Sequence, residues 1–421
     1  MWLKSKPIIA LMDQAIVSGT SFVTAIMVGR YCGADELGFY SLVLSLLLLG
    51  NAAQLSLVCG PLTVFRLRGG ADQSPENRAA SAATGAVILA MILLGISIVG
   101  SVGITLASES ATTIAAAWVL TLSLPGFLAR DFARRFDFAR LHMKGALVFD
   151  ATVSAAQLAV LFWLATNEYL TGSMTILMIA IVSVLTSVFW LLLRLDQFDF
   201  QAEQVSATIR HDWRFGRWLL ADNLVCITQL YAMHWMLTAM IGTEAAGVFA
   251  ACLSIAALAN PFLMGVGNYL SPKIAETVSA GSRQKTMKLY WRCTAGLVSV
   301  VLLFTVVLFL FGGHLLRILY DGSIDAAYGP VVALLALRMM CSATTIAADH
   351  AVIAMESPRG SALVSIAGVV ATVAIAFPLI RMDGIRGAAI ALVIGTAAES
   401  LALIAVFVFK LKRWHWVAPS N

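Results

Sequence analysis

The sequence predicts an all-α integral membrane protein: twelve transmembrane helices in two parallel six-helix lobes around a central cleft. Three observations point there. The composition is far too apolar for a water-soluble chain, twelve windows are long and apolar enough to cross a bilayer, and the second half of the chain repeats the first.

Of the 421 residues, 60% are hydrophobic and only 12% are charged, and the mean hydropathy is +0.88. Soluble domains sit near half apolar and about a quarter charged. In a membrane protein, the net charge of +5 speaks to topology rather than to nucleic acid. The six cysteines (Cys32, Cys59, Cys226, Cys252, Cys293, Cys341) are scattered without metal-ligand or CxxC spacing. They read as small apolar packing residues, with neither a metal site nor a cofactor expected.

A helix needs about 20 apolar residues to span a bilayer core of about 30 Å. The first window, 7–29, follows Lys4 and Lys6. It is too long for the apolar stretch of a cleaved signal and lacks a small-residue cleavage site, so it reads as an uncleaved anchor. The others are 38–61, 80–106, 112–128, 145–166, 173–193, 218–241, 246–270, 293–312, 329–352, 360–380 and 387–409. With the N-terminus inside, 23 of the 28 Lys and Arg fall in inside segments and only Arg30, Arg317, Arg381 and Arg386 fall outside. Arg338 lies within a span. That asymmetry predicts both termini on the cytoplasmic side.

Shifted by 209 residues, the chain matches itself over 39 positions without a gap. Asp13 meets Asp222, Gln14 meets Asn223, Gly33 meets Gly242, Asp35 meets Glu244 and Gly38 meets Gly247. Near the ends of the halves the shift becomes 215, pairing Lys144 with Arg359, Gly145 with Gly360 and Gly172 with Gly387. The expected lobes are therefore 1–209 and 210–421. Six spans per half give both halves the same orientation. Parallel repeats of this kind place a substrate path between them, which predicts an alternating-access transporter.

Charge inside a span is costly, and its default reading is functional. Asp13 and Asp222 lie at matching depth near the inner ends of their helices. Either they are helix-end carboxylates paired with nearby arginines, or they form a gate or cation site. Arg338, Glu399 and His234 fall near mid-depth. Arg338 suits a pyrophosphate, because a guanidinium is permanently charged and grips phosphate oxygens in a fork; a structural Arg338–Glu399 pair is the other reading. Glu399 is also a candidate protonatable coupling site. Tyr231, His234 and Trp235 share a helical face that reads as a sugar-stacking wall, a proton relay or a core histidine and its neighbours. Asp150 is expected to pair with the arginines that precede it or to take part in gating, and Asp349 and His350 lie near the inner face. The segment 129–144, ARDFARRFDFARLHMK, interleaves Arg130, Arg134, Arg135 and Arg140 with Phe132, Phe136 and Leu141. It reads as an interfacial helix on an anionic leaflet that recruits a diphosphate headgroup.

Five stretches resemble one family. They are DQAIVSGTSFVTAIMVGRYCGADELGFYSLVLS, with Gly33, Glu36, Leu37, Gly38 and Tyr40; RDFARRFDFARLHMKGALVFD, with Arg134, Arg135 and Asp150; NPFLMGVGNYLSPKIAE; LRILYDGSIDAAYGPVVALLAL; and GIRGAAIALVIG. In this order they resemble the polysaccharide-transport (Wzx-like) flippases of the multidrug/oligosaccharidyl-lipid/polysaccharide (MOP) exporter superfamily. The second half departs from the pattern, with Asp349 at the position equivalent to Arg134. The resemblance implies a MOP/MATE-like fold. It also implies translocation of a polyprenyl-pyrophosphate-linked oligosaccharide from the inner to the outer leaflet of a bacterial cytoplasmic membrane, for O-antigen or other surface polysaccharide. Implied partners are membrane lipids, a coupling H+ or Na+, and a polysaccharide polymerase and glycosyltransferases.

No P-loop, HExxH, GxSxG or dinucleotide fingerprint appears in a place where a soluble domain could hold it. Energy is therefore expected from an ion gradient, the membrane potential or the product gradient. An ion-coupled multidrug antiporter of the same fold is the alternative. A membrane polymerase or ligase fits less well, since the longest outer connection, 313–328, offers only His314 and Arg317.

Overall fold

The computed structural model describes residues 6–65, 75–199, 202–355 and 358–413. All regular structure among them is helical. The helices are α1 (Lys6–Cys32), α2 (Ala34–Gln54), α3 (Gly60–Phe65), α4 (Pro75–Ala107), α5 (Ala111–Ala139), α6 (Met143–Thr166) and α7 (Gly172–Leu192). They continue as α8 (Ala202–Met240), α9 (Thr243–Ala256), α10 (Asn260–Ser279), α11 (Arg283–Tyr320), α12 (Gly329–Ala354) and α13 (Pro358–Arg413).

Every apolar window of the sequence falls on helix. Ten stretches among the described residues are long and apolar enough to span a bilayer. One of them, Ala362–Arg413, holds the last two windows, because α13 breaks at Asp383 and Gly384 (φ +54°). The window 218–241 lies within the long α8, whose apolar stretch is the shorter Leu219–Gln229.

Local chemistry sets the interruptions. Between α2 and α3 the backbone widens into a π turn, Leu55–Cys59, with Gly60 N–H donating to Leu55 O. Pro61 follows directly; it has no N–H and its ring crowds the carbonyl four residues back, so a wider turn accommodates it. The 246–270 window is likewise split, by a 3₁₀ turn at Ala257–Ala259 just before Pro261. Ser110, Thr171 and Ser282 cap α5, α7 and α11 by accepting from backbone N–H groups three residues on, which satisfies donors that each helix start leaves open.

The chain forms two compact units, residues 1–32 with 39–227 and residues 33–38 with 228–421. In the first, α1 packs on α6, and α5 packs on α4 and α7. A Cβ added at Gly126 of α5 would stand 2.4 Å from Ala180 O of α7, so the two backbones meet with no room for a side chain. At one end an aromatic cluster of Phe132, Phe136, Phe149, Trp190 and Phe198 fills the core. In the second unit α12 is central, flanked by α9, α10, α11 and α13. Its Ala343, Ala347, Ala348 and Ala351 are all buried. Helices in lipid associate largely through such small residues, which let backbones approach closely. The outward faces are apolar instead, as on α4 (Met91, Ile96, Val99, Leu106) and α11 (Leu303, Phe309, Leu310).

One seam of the second unit is built from glycine. A Cβ on Gly38 would lie 1.9 Å from Thr243 O, and one on Gly247 would lie 1.8 Å from Ala34 O. Thr243 Oγ1 also donates to Asp35 Oδ1 at 2.8 Å. The starts of α2 and α9 thus touch backbone to backbone.

The segment 129–144 differs from its sequence reading. It is not a separate interfacial helix: residues 129–139 complete α5, and Phe136, expected in lipid, is fully buried in the aromatic core. With apolar partners on both the lipid side and the protein side, the sequence pattern alone does not distinguish the two.

Candidate ionic sites in the two units

In the first unit, α5 places its basic residues against α1 and α6. Arg134 Nε donates to Asp150 Oδ2 at 2.7 Å, and its Nη2 donates to Asp13 Oδ2 at 2.8 Å. Both carboxylates are 0% exposed. Arg130 stands 4.0 Å from Asp150 and donates to Gln157 Oε1 at 3.3 Å, while Gln157 donates to Thr24 Oγ1 at 3.0 Å. Two arginines and two aspartates thus form a quartet extended by an amide and a hydroxyl. Oδ1 of Asp13 and Oδ1 of Asp150 are buried and, among the described residues, neither accepts from a nitrogen or hydroxyl donor. Asp150 meets the preceding arginines, which is one of its two sequence readings; that Asp13 shares Arg134 with it was not anticipated. Gln157 was missed, although its spacing of seven from Asp150, two turns along one helical face, was a usable signal.

The other two arginines of the segment are also engaged. Arg135 Nε donates to both oxygens of Asp131 (2.8 and 2.7 Å). Arg140 donates to Gln197 Oε1 at 2.7 Å and lies over the ring of Phe136. A further buried pair, absent from the sequence reading, joins Arg78 Nη2 to Asp212 Oδ1 at 2.8 Å. Burial raises the Asp212 carboxyl above its ordinary range, against the opposing pull of Arg78 and His211. The Asp222 side chain lies outside the described residues. Its neighbour Asn223 donates to Ser56 Oγ at 2.9 Å.

In the second unit Glu399 of α13 accepts from Gln229 Nε2 of α8 through Oε2, and from Ser365 Oγ through Oε1 at 2.9 Å. The two arms of α13 come close enough for this because Gly368 and Gly395 leave the space: an added Cβ would meet Glu399 at 3.0 Å or Thr372 Oγ1 at 1.8 Å. Glu399 does not form an ion pair with Arg338 within 4.0 Å, so the expected direct pair gives way to neutral polar partners. Nε of Arg338 is buried with no hydrogen-bond partner among the described residues. Sequence reasoning overlooked Gln229 and Ser365, which are single polar residues in apolar runs.

His234 is 2% exposed. Its ring meets Phe249 edge-on at 5.2 Å and Tyr231 at 5.5 Å, and its Nδ1 has no hydrogen-bond partner. Tyr231 and Trp235 are half-buried. The arrangement is an aromatic packing cluster with the histidine sealed inside it, rather than an open stacking wall.

No family model matches the chain, and no curated protein matches it. Solved structures do. An inward-facing multidrug-resistance MATE family transporter of the MOP superfamily aligns with a TM-score of 0.75 at 15% identity, covering 95% of this chain and 94% of that one. An outward-facing structure of a MATE family transporter of the same superfamily gives 0.65 at 16% identity, covering 97% and 94%. A eukaryotic MATE transporter, AtDTX14, gives 0.67 at 13% identity, covering 98% of each chain. The chain has the all-helical fold of the MATE transporters, along nearly its whole length.

Proposed function

We propose that the protein is a membrane flippase that moves a polyprenyl-pyrophosphate-linked oligosaccharide from the inner to the outer leaflet by alternating access, in the service of surface polysaccharide synthesis. The observation that carries the reading is the gathering of Arg130, Arg134, Arg135 and Arg140 along one end of α5 in the first unit, on a transporter fold. A carrier of cationic drugs has little use for such a set, whereas a diphosphate headgroup is matched by it. The MATE-like fold, solved in inward- and outward-facing forms, supports alternating access. The Lys and Arg asymmetry supports cytoplasmic termini in a bacterial inner membrane. In this scheme Arg338 meets the pyrophosphate at mid-depth. Asp13, Asp150 and Asp222 act in gating, Glu399 carries the coupling proton or Na+, and a polymerase and glycosyltransferases work on either side of the step.

One observation favours a second reading, an ion-coupled antiporter: Glu399 is a carboxylate held by neutral groups, a suitable resting place for a proton or Na+. Deleting the gene in its source organism separates the two. Mass spectrometry of extracted lipids is expected to show one accumulated polyprenyl-pyrophosphate glycan. No accumulation, together with new sensitivity to cationic drugs, would transfer the assignment to the antiporter.

A further inference from the structure

Beside the Arg134 bridge, the first unit holds a cavity of about 230 Å3, lined by Leu55, Cys59, Thr63, Arg134, Arg135 and Phe138. Part of its wall is the π turn Leu55–Cys59; such turns are often kept at functional positions. Cys59 is buried and Thr63 exposed, so the cavity runs inward from Thr63.

We propose that this cavity is a binding site for a phosphate-type anion, and specifically for the diphosphate of a lipid carrier. That the anion is the carrier's diphosphate rests on the flippase reading; that an anion binds does not. Two guanidinium groups line one small space, and neither is fully used. Arg135 gives only Nε to Asp131. Arg134 gives Nε and Nη2 to Asp150 and Asp13. Among the described residues, Nη1 of Arg134 and both terminal nitrogens of Arg135 remain as donors in the planar geometry that suits phosphate oxygens. The size selects the ligand. At about 30 Å3 per water, the volume equals roughly eight waters, enough for a diphosphate and some hydration. It falls below the 300–1,000 Å3 or so of a drug-sized pocket, so the sugars of a glycan must lie elsewhere. Arg134 is shared between the cavity and the buried carboxylates of α1 and α6, so an anion arriving there competes directly with the gating pair Asp13 and Asp150.

The test is isothermal titration of inorganic pyrophosphate into the full-length protein in phosphatidylcholine nanodiscs. The wild type is expected to bind saturably. Arg135→Gln should weaken binding by about tenfold or more, through loss of charge-assisted bonds, while Arg135→Lys keeps part of it. Asp131→Asn removes the carboxylate that competes for Arg135 and should tighten binding. A melting transition unchanged from wild type confirms that each variant is folded. No binding by the wild type, or equal binding by Arg135→Gln, overturns the site. Competition identifies the source. Displacement by a short polyprenyl diphosphate but not by phosphatidylglycerol supports the carrier headgroup. Equal displacement by both overturns that assignment and leaves a general lipid-phosphate site. If pyrophosphate binds as described but the gene deletion accumulates no lipid-linked glycan, the flippase reading fails and the anion site stands.

Discussion

In the first unit Arg134 lies between Asp13 and Asp150 at hydrogen-bonding distance from each. In the second, Arg338 and Glu399 form no direct ion pair, and Glu399 rests on an amide and a hydroxyl. The first arrangement is an ionic knot in which two buried carboxylates share one guanidinium. The second leaves Nε of Arg338 buried with no hydrogen-bond partner among the described residues. Matched ions hold helices together and are costly to separate, whereas unmatched ions cost stability from the start and persist only if something else needs them. The contrast is one of commitment: Arg134 is tied to two carboxylates, whereas Glu399 is held by two neutral groups.

The sharpest way to break that comparison is Arg134→Leu. It strands two fully buried carboxylates, and removing one partner of a buried pair typically costs about 3–5 kcal/mol. Membrane abundance and the detergent melting transition should both fall markedly, and Asp13→Asn with Asp150→Asn in the same chain should recover part of the loss. A fold indifferent to Arg134→Leu would mean that the knot is not structural. Next in size is Arg338→Met. Replacing a buried cation with an apolar group of similar length should leave abundance level or raised, while transport is lost. If abundance collapses instead, Arg338 is a structural partner like Arg134 and the contrast disappears. The smallest effect belongs to Ser365→Ala, which removes one hydrogen bond to Glu399 at about 1 kcal/mol. It should shift the pH or Na+ dependence of transport more visibly than it shifts stability. An unaltered ion dependence would argue against coupling at Glu399.

Much of the scaffold was legible because lipid thickness imposes span length, and hydropathy reports it directly. The pairing of Asp150 with the preceding arginines was legible too, since a carboxylate in an apolar run must find a cation and α5 offered three; that Asp13 joins the same guanidinium was not. What escaped was everything set by which face of a helix looks inward. Phe136 has the same hydropathy whether it faces lipid or Trp190, so residues 129–139 passed for an interfacial helix when they finish α5. Arg338 and Glu399 were expected at a shared depth, but depth fixes only one coordinate; rotation about each helix axis turned Glu399 toward Gln229 and Ser365. The π turn at Leu55–Cys59 left only Pro61 as a trace.

The seam at Gly38 and Gly247 has a consequence for inheritance. The two glycines occupy equivalent positions 209 residues apart in the repeat, and each is kept bare by the other's helix: Gly38 faces Thr243 O, and Gly247 faces Ala34 O. A methyl at either one pries the same two backbones apart. Once one is replaced, the second has lost much of its reason to remain glycine, so the double substitution costs less than the sum of the singles. Selection therefore acts on the two codons as on a single character, and their histories should be correlated across the length of the gene.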